Sequence, residues 1–381
     1  MICVLSILLA APVLTAVLPE LHDSEQTTAE RIVLVYIDTA NSMPGGVDDY
    51  MRLAAHHDGH GGFDDGFFNS FLFLGTRSPS GGSYETGTAT PEDWSAWADE
   101  ILGPRGQLQK LEAAVAELEE KIHIGQVGVV VMIPRPNPDQ GGAVRVQQVK
   151  DYVLSVASRF REGNYSHLDL SGFYWMSETS TGDDEVIRAT AKSVHELSLS
   201  LYWIPYFEAV GVEVAREIGF DRVMLQPNFA FYSSGLERFS SVDSRIRSLG
   251  IGVEMELPMY SRNPELTDWR ESFLLYMRAS AVYHWEGLPY ISYYYGNDFV
   301  RMSRDESTKR FYDMVYMHVK DRISGTGYPS EIDEAYRSFQ ARQDAKAILV
   351  WQIVGGAVAV FGIILLLMAK AGVGPSSAPH K

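Results

Sequence analysis

At 381 residues and 46% hydrophobic composition, the chain can bury a full core, as one barrel-sized domain or two smaller ones. Its 32 Lys and Arg stand against 49 Asp and Glu, a net charge of −17. That balance excludes a non-specific grip on nucleic acid, which needs a basic surface to displace phosphate counterions. The single cysteine, Cys3, falls in the apolar N-terminal segment, so the body has neither a disulfide framework nor a thiolate metal site.

Ile2 to Leu18 is apolar, with small residues such as Ala16 ahead of a polar EQTTAE. Residues 1–20 are therefore expected to be a signal peptide or an N-terminal anchor. Arg31 to Asp38 reads as a first strand, followed by a Gly- and His-rich loop to Gly66, and Phe67 to Gly75 as a second strand. Pro91 to Ile122 carries helical spacing in two pieces broken at Gly103 and Pro104. Gln126 to Ile133 is the third strand, Val144 to Phe160 a helix, and Leu168 to Glu178 (LDLSGFYWMSE) the fourth strand.

Further on come a helix at Asp183 to Leu197, a strand at Leu199 to Tyr206 and a short helix at Val212 to Ile218. Arg222 to Gln226 is the sixth strand, and the helix Leu236 to Leu249 is stopped by Gly250. Ile251 to Glu256 is the seventh strand, Pro264 to Trp285 a helix, Tyr290 to Tyr295 the eighth strand and Thr308 to Ile323 the last helix. About eight strand-then-helix units across residues 31–325 predict a (β/α)8 TIM-like barrel. An open doubly wound sheet would need a Gly-rich phosphate turn after its first strand, and the chain has none.

Glu331 to Lys346 is charged and helical, a juxtamembrane stalk over 326–346. Ala347 to Ala369 is an apolar run interrupted only by Gln352, long enough for a single transmembrane helix. Lys346 and Lys370 bracket it and the tail 370–381 carries no acid, which places the tail in the cytoplasm and the body outside the cell membrane. One expected partner is thus the lipid bilayer.

In a parallel barrel the chemistry sits at strand C-termini and the loops after them. The candidates there are Asp38, Arg77 with Glu85, Arg135, Tyr174 with Trp175 and Glu178, Trp203 with Tyr206 and Glu208, Gln226 with Asn228, Glu254 and Glu256, and Tyr293, Tyr294 and Tyr295 with Asn297 and Asp298. Carboxylates and amides bind sugar hydroxyls and aromatic rings stack on sugar faces, so a glycan is the expected substrate class. Glu178 ends strand four and Glu256 strand seven, a placement that resembles the retaining glycosidases with their acid/base and nucleophile on those two strands. The resemblance implies that Glu178 protonates the leaving oxygen and Glu256 forms the glycosyl-enzyme. Ser177 departs from it, since many of those enzymes place Asn before the acid.

His56, His57 and His60 (HHDGHGG) have the residue types of a zinc site but sit among glycines, so a solvated loop is expected and no metal or cofactor is assigned. DTANS, from Asp38 to Ser42, resembles the metal-adhesion motif of von Willebrand type A domains with Ala40 in place of a ligand.

FLFLGTRSPSGGSYETGTATPEDWSAWADEIL, VGVVVMIPRPNP, YSHLDLSGFYWMSE, LYWIPYF, VMLQPNFAF and GVEMEL together are similar to domain-of-unknown-function family 4855. The resemblance implies a glycosidase-like barrel and brings no substrate. The expected function is a membrane-anchored extracellular glycoside hydrolase acting on cell-surface or environmental polysaccharide by a two-carboxylate retaining mechanism. The alternative is a glycan-binding or envelope-structural protein on the same barrel.

Overall fold

A computed structural model describes residues 29–38, 45–323 and 329–370. The expected leader and the motif residues beyond Asp38 lie outside them.

The chain opens with β1 (Glu30–Tyr36), α1 (Val47–Ala54) and a two-stranded hairpin of β2 (Ala55–His57) and β3 (Phe63–Gly66). There follow β4 (Ser70–Leu74), α2 (Pro91–Leu102), α3 (Gln107–Ile122), β5 (Val127–Ile133), α4 (Gly142–Glu162), β6 (Leu168–Trp175) and α5 (Asp184–His195). Then come β7 (Ser200–Trp203), the single-turn α6 (Ala215–Ile218), β8 (Arg222–Leu225), α7 (Glu237–Leu249), β9 (Gly252–Glu256) and α8 (Trp269–Tyr283). The last elements are β10 (Tyr290–Tyr294), α9 (Gly296–Arg304), α10 (Lys309–Val319) and α11 (Ser330–Lys370). Apart from the hairpin, all strands pair in parallel and close into a barrel in chain order. Closure leaves no unpaired edge, and a wall covered on both faces explains the unbroken apolar run of β1.

Local chemistry sets the boundaries. Thr90 and Asp93 form a reciprocal capping box at the start of α2, and Asp268 accepts from the Arg270 and Glu271 backbone N–H at the start of α8. Gly250 ends α7 at φ 62°, a conformation that costs glycine little. Inside the barrel Gly172 lets β6 approach β7: a Cβ there would lie 2.0 Å from the Ser200 carbonyl oxygen. The space is taken by Tyr202, whose hydroxyl donates to Glu30 Oε1 (2.8 Å) at the N-terminal floor.

The His-rich stretch expected as a solvated loop is instead α1 and the hairpin. His56 is clamped there, its Nδ1 on Asp64 Oδ1 (2.9 Å), its Nε2 on Asp313 Oδ1 (2.8 Å) and its ring stacked on Tyr316 at 4.0 Å. Those contacts reach to α10, which is why glycine content misleads there. Among the described residues no group of three or more His, Cys, Asp or Glu is placed to hold a metal.

The stalk and the apolar run form one helix, α11. Its first half is docked on α8, with Ile332 and Phe339 fully buried, Arg342 on Glu271 (2.6 Å) and Lys346 on Glu265 (2.5 Å). Among the described residues no helix is long and apolar enough to cross a membrane. The single transmembrane helix expected over 347–369 is thus not supported by the described residues.

Candidate active site

The strand C-termini open into a cavity of about 490 Å³, lined among others by Tyr36, Glu85, Tyr174, Glu178, Gln226, Asn228, Glu254, Tyr260, Arg262 and Tyr294. Each strand delivers its residue by the two-residue alternation of side chains. On β6 Tyr174 faces inward and lines the cavity, so its neighbour Trp175 turns out toward the helices.

Glu178 follows β6 on a loop held at its far end by the fully buried Asp183. Arg135 Nε donates to Asp183 Oδ2 (2.7 Å), and Arg145 from α4 reaches Oδ1. Two guanidiniums on one carboxylate fix the loop that carries Glu178. Glu178 Oε1 accepts from Gln226 Nε2 (2.9 Å), Gln226 Oε1 accepts from Asn228 Nδ2 (2.9 Å), and that same Nδ2 lies 3.3 Å from Glu256 Oε1. Two amides from the end of β8 thus link the carboxyl after β6 to the one ending β9.

Burial pushes the Glu178 carboxyl up to about 7, helped by the nearby Glu85 charge and opposed by the Gln226 hydrogen bond. Glu256 is fully buried and also accepts from the Tyr276 hydroxyl of α8. Burial pushes it up to about 8, with the Glu178 charge adding and the Tyr276 hydrogen bond opposing. Glu254 is 2% exposed, lines the cavity, and its Oε1 has no hydrogen-bond partner. Burial, then the Glu256 and Glu178 charges, raise it well above the usual carboxylate range.

That shift has a consequence for stability. An acid whose folded pKa lies above its unfolded one favours folding at low pH, and the advantage is lost as pH rises from the unfolded value toward the folded one. Glu254→Gln is therefore expected to raise stability at pH 8 by roughly 1–3 kcal/mol, ~2–4 °C in Tm per kcal/mol, and to change little at pH 4. Thermal melts at both pH values check this, and an equal shift at both removes the explanation.

Other expected site residues lie elsewhere. Trp175 and Trp203 pair in register, both fully buried outside the barrel wall. Trp203 Nε1 donates to the Ser177 carbonyl (2.8 Å) and its ring stacks on Phe220 at 4.7 Å. They are packing residues, because the alternation that turns Tyr174 inward turns them out. Asn297 is buried against β1, its Oδ1 accepting from Tyr36 N (3.3 Å). Asp38 caps the turn after β4, accepting from Thr76 Oγ1 (2.8 Å), and with Arg77 it borders a separate recess of about 230 Å³. Tyr206 packs against the core beside the opening and does not line the cavity.

The sequence matches the profile of a known family over residues 31–147 and 137–320. The chain belongs to the family described as Domain of unknown function (DUF4855). No curated protein matches it. Among solved structures it is similar to an Ostrinia furnacalis Group IV chitinase in complex with allosamidin, at 11% identity and a TM-score of 0.45, covering 77% of this chain and 100% of that one. It is similar to a putative alpha-L-fucosidase from Bacteroides thetaiotaomicron at 12% identity and 0.43, covering 82% and 99%. A family GH18 chitinase catalytic domain from the fern Peteris ryukyuensis follows at 13% identity and 0.42, covering 76% and 99%.

The lining of this DUF4855 chain also includes residues that a reading of strand ends did not name, among them Tyr36, Phe231, Tyr260 and Arg262. Tyr36 was within reach, since it lies two residues past Leu34 on the same face of β1. Tyr260, Arg262 and Phe231 were not, because they stand on loops after β9 and β8 that are tied together in three dimensions. Arg262 N and Ser261 Oγ both donate to the Ala230 carbonyl (2.9 and 2.8 Å), and Asn263 Nδ2 donates to the Phe229 carbonyl (2.8 Å).

Proposed function

We propose that this protein is a glycoside hydrolase that cuts polysaccharide by a retaining mechanism, with Glu178 as acid/base and Glu256 as nucleophile. The observation that carries the reading is the amide chain from Glu178 through Gln226 and Asn228 to Glu256 at one mouth of the barrel. Glu178 is partly exposed and holds its proton to about pH 7, as a donor to a leaving oxygen requires. Glu256 receives hydrogen bonds from Tyr276 and Asn228, both of which favour its ionised form. The aromatic rings of the cavity offer faces for sugar rings.

The test is a panel of surface and environmental polysaccharides incubated with the protein, read as new reducing ends and as the anomer first released. Release of the α or β form matching the substrate supports retention, and the opposite form rejects the nucleophile role. Glu178 is pushed up to about 7 and Glu256 to about 8, so the reactive form, with the proton on Glu178 and the charge on Glu256, is the minor singly protonated one, and kcat/KM is expected to be bell-shaped with limbs near those values. Below the window neither is ionised to attack, and above it neither has a proton to give. An optimum near pH 4.5, where unperturbed carboxyls titrate, rejects the assignment.

A second reading, a glycan-binding protein on the same barrel without turnover, is favoured by one observation. Glu256 is fully buried and does not line the cavity. Binding of a polysaccharide with no reducing ends formed decides for it.

The proposal extends to location, with the body outside the cell and the far end of α11 held in the lipid bilayer. Ile348, Leu349, Val350 and Trp351 are all exposed, as are Phe361 and the residues from Ile363 to Met368, so apolar side chains surround this part of the helix. Such a helix in water is unfavourable, and hydrocarbon relieves it. The full chain is expected to sediment with phosphatidylcholine vesicles and a chain ending at Lys346 to remain in the supernatant. A full chain that stays in solution removes the anchor.

A further inference from the structure

The cavity walls carry more carboxyls than the reaction needs. Glu254 lines the cavity, is 2% exposed, and has one oxygen engaged by nothing among the described residues. The Glu178 carboxyl shares this wall and accepts a hydrogen bond from the neutral Gln226 amide. Glu85 stands exposed at the rim. Among the lining residues the single cation is Arg262, exposed on the outer loop with its guanidinium 5.9 Å from the Tyr260 ring centre.

A buried carboxyl can be left uncharged, which wastes an acceptor oxygen, or be met by a cation. The remaining walls suit the second outcome. Tyr36, Tyr174 and Tyr294 present rings around Glu254 and Glu178, and ring faces attract ammonium groups as well as sugar rings. A neutral sugar offers Glu254 a hydroxyl, while a sugar with a protonated primary amine offers up to three N–H donors and the compensating charge.

We propose that the cavity takes a glycan of amino sugars, with Glu254 as counter-ion to the sugar ammonium and Glu178 beside it. The inference rests on the glycan reading of the cavity and narrows it to a cationic ligand. Glu254 thereby becomes the residue that sets specificity, distinct from the Glu178 and Glu256 pair assigned to bond cleavage. It also accounts for two carboxyls two residues apart on one strand, an arrangement whose mutual repulsion an empty or neutral-filled cavity leaves uncompensated.

The test compares three tetrasaccharides that share β-1,4 linkages and differ only at carbon 2. They are the glucosamine tetramer (ammonium), the N-acetylglucosamine tetramer (acetamide) and cellotetraose (hydroxyl). Binding to the full chain is measured by titration calorimetry at pH 6.5. The glucosamine tetramer is expected to bind at least ~10-fold more tightly than either of the others, with a preference that shrinks as salt is raised. Glu254→Gln is expected to cut that preference to under ~3-fold.

Equal affinity for the three, or a preference that survives Glu254→Gln, overturns the amino-sugar inference. Binding of cellotetraose or the acetylated tetramer with no gain for the amine overturns it too and leaves the glycan reading standing. Absence of binding by any tetramer removes both. The three-way comparison on the unaltered protein decides even where the variant does not fold.

Discussion

Glu178→Gln is expected to lower kcat/KM for a cleaved polysaccharide by roughly 10²–10⁴-fold, about 3–5 kcal/mol of transition-state stabilisation, with the affinity for intact glycan nearly unchanged. The amide is isosteric and can still accept from Gln226 Nε2, so the chain to Asn228 and Glu256 stays in place. Only the transferable proton is lost. Glu256→Gln is expected to cost at least as much, because it removes the atom that bonds to the sugar. The two variants part on rescue. Added azide restores turnover to a variant lacking a small nucleophile or base, and the configuration of the azide product tells which was removed. Hydrolysis retained in Glu256→Gln sinks the nucleophile role, and hydrolysis retained in both sinks the active-site assignment.

Replacing Asp183 by Ala has the second large effect expected, and it acts through the fold. Asp183 is fully buried and takes both Arg135 and Arg145, the latter itself only 6% exposed. Removing the carboxylate strands a guanidinium inside the protein, a change that typically costs about 3–5 kcal/mol. In a domain of this size that amounts to a fall of ~10 °C in Tm. The same change frees the loop from Ser177 to Asp183, so Glu178 loses its fixed approach and activity should fall beyond what stability explains. A melt within ~2 °C of the parent removes the role of this ion pair. Replacing Arg145 together with Asp183 by apolar residues should recover much of the loss, since no charge is then left buried.

The eight barrel strands and most of the helices were legible because each is written in local chemistry. The two-residue alternation, the 3.6-residue spacing and the breakers at Gly103, Pro104 and Gly250 need no distant partner to be read. The missed elements fail the same test for the same reason. α1 and the β2–β3 hairpin sit in a glycine-rich stretch and owe their order to α10, through Asp313 and Tyr316 on His56. α9 begins just past β10, where a run of tyrosines reads as more strand. α11 reads as a free stalk because its charged residues look solvated, yet Arg342 and Lys346 have their partners on α8 and the loop before it.

For the site, chain order alone determined that Glu178 follows the fourth barrel strand, which stops at Trp175 and not at Glu178 itself, and that Glu254 and Glu256 lie two residues apart on the seventh. A strand has two faces and a barrel one functional mouth, so those facts follow from counting and parity. What counting does not contain is the depth at which a side chain stops and what meets it there. Only the tertiary structure put Trp175 and Trp203 outside the wall, buried Glu256 with Tyr276 of α8 upon it, and gathered the Asn228 and Gln226 amides between Glu178 and Glu256. Burial and hydrogen-bond partners arise from packing between segments tens of residues apart, and they decide that of three similar carboxyls Glu178 and Glu254 line the cavity and Glu256 does not.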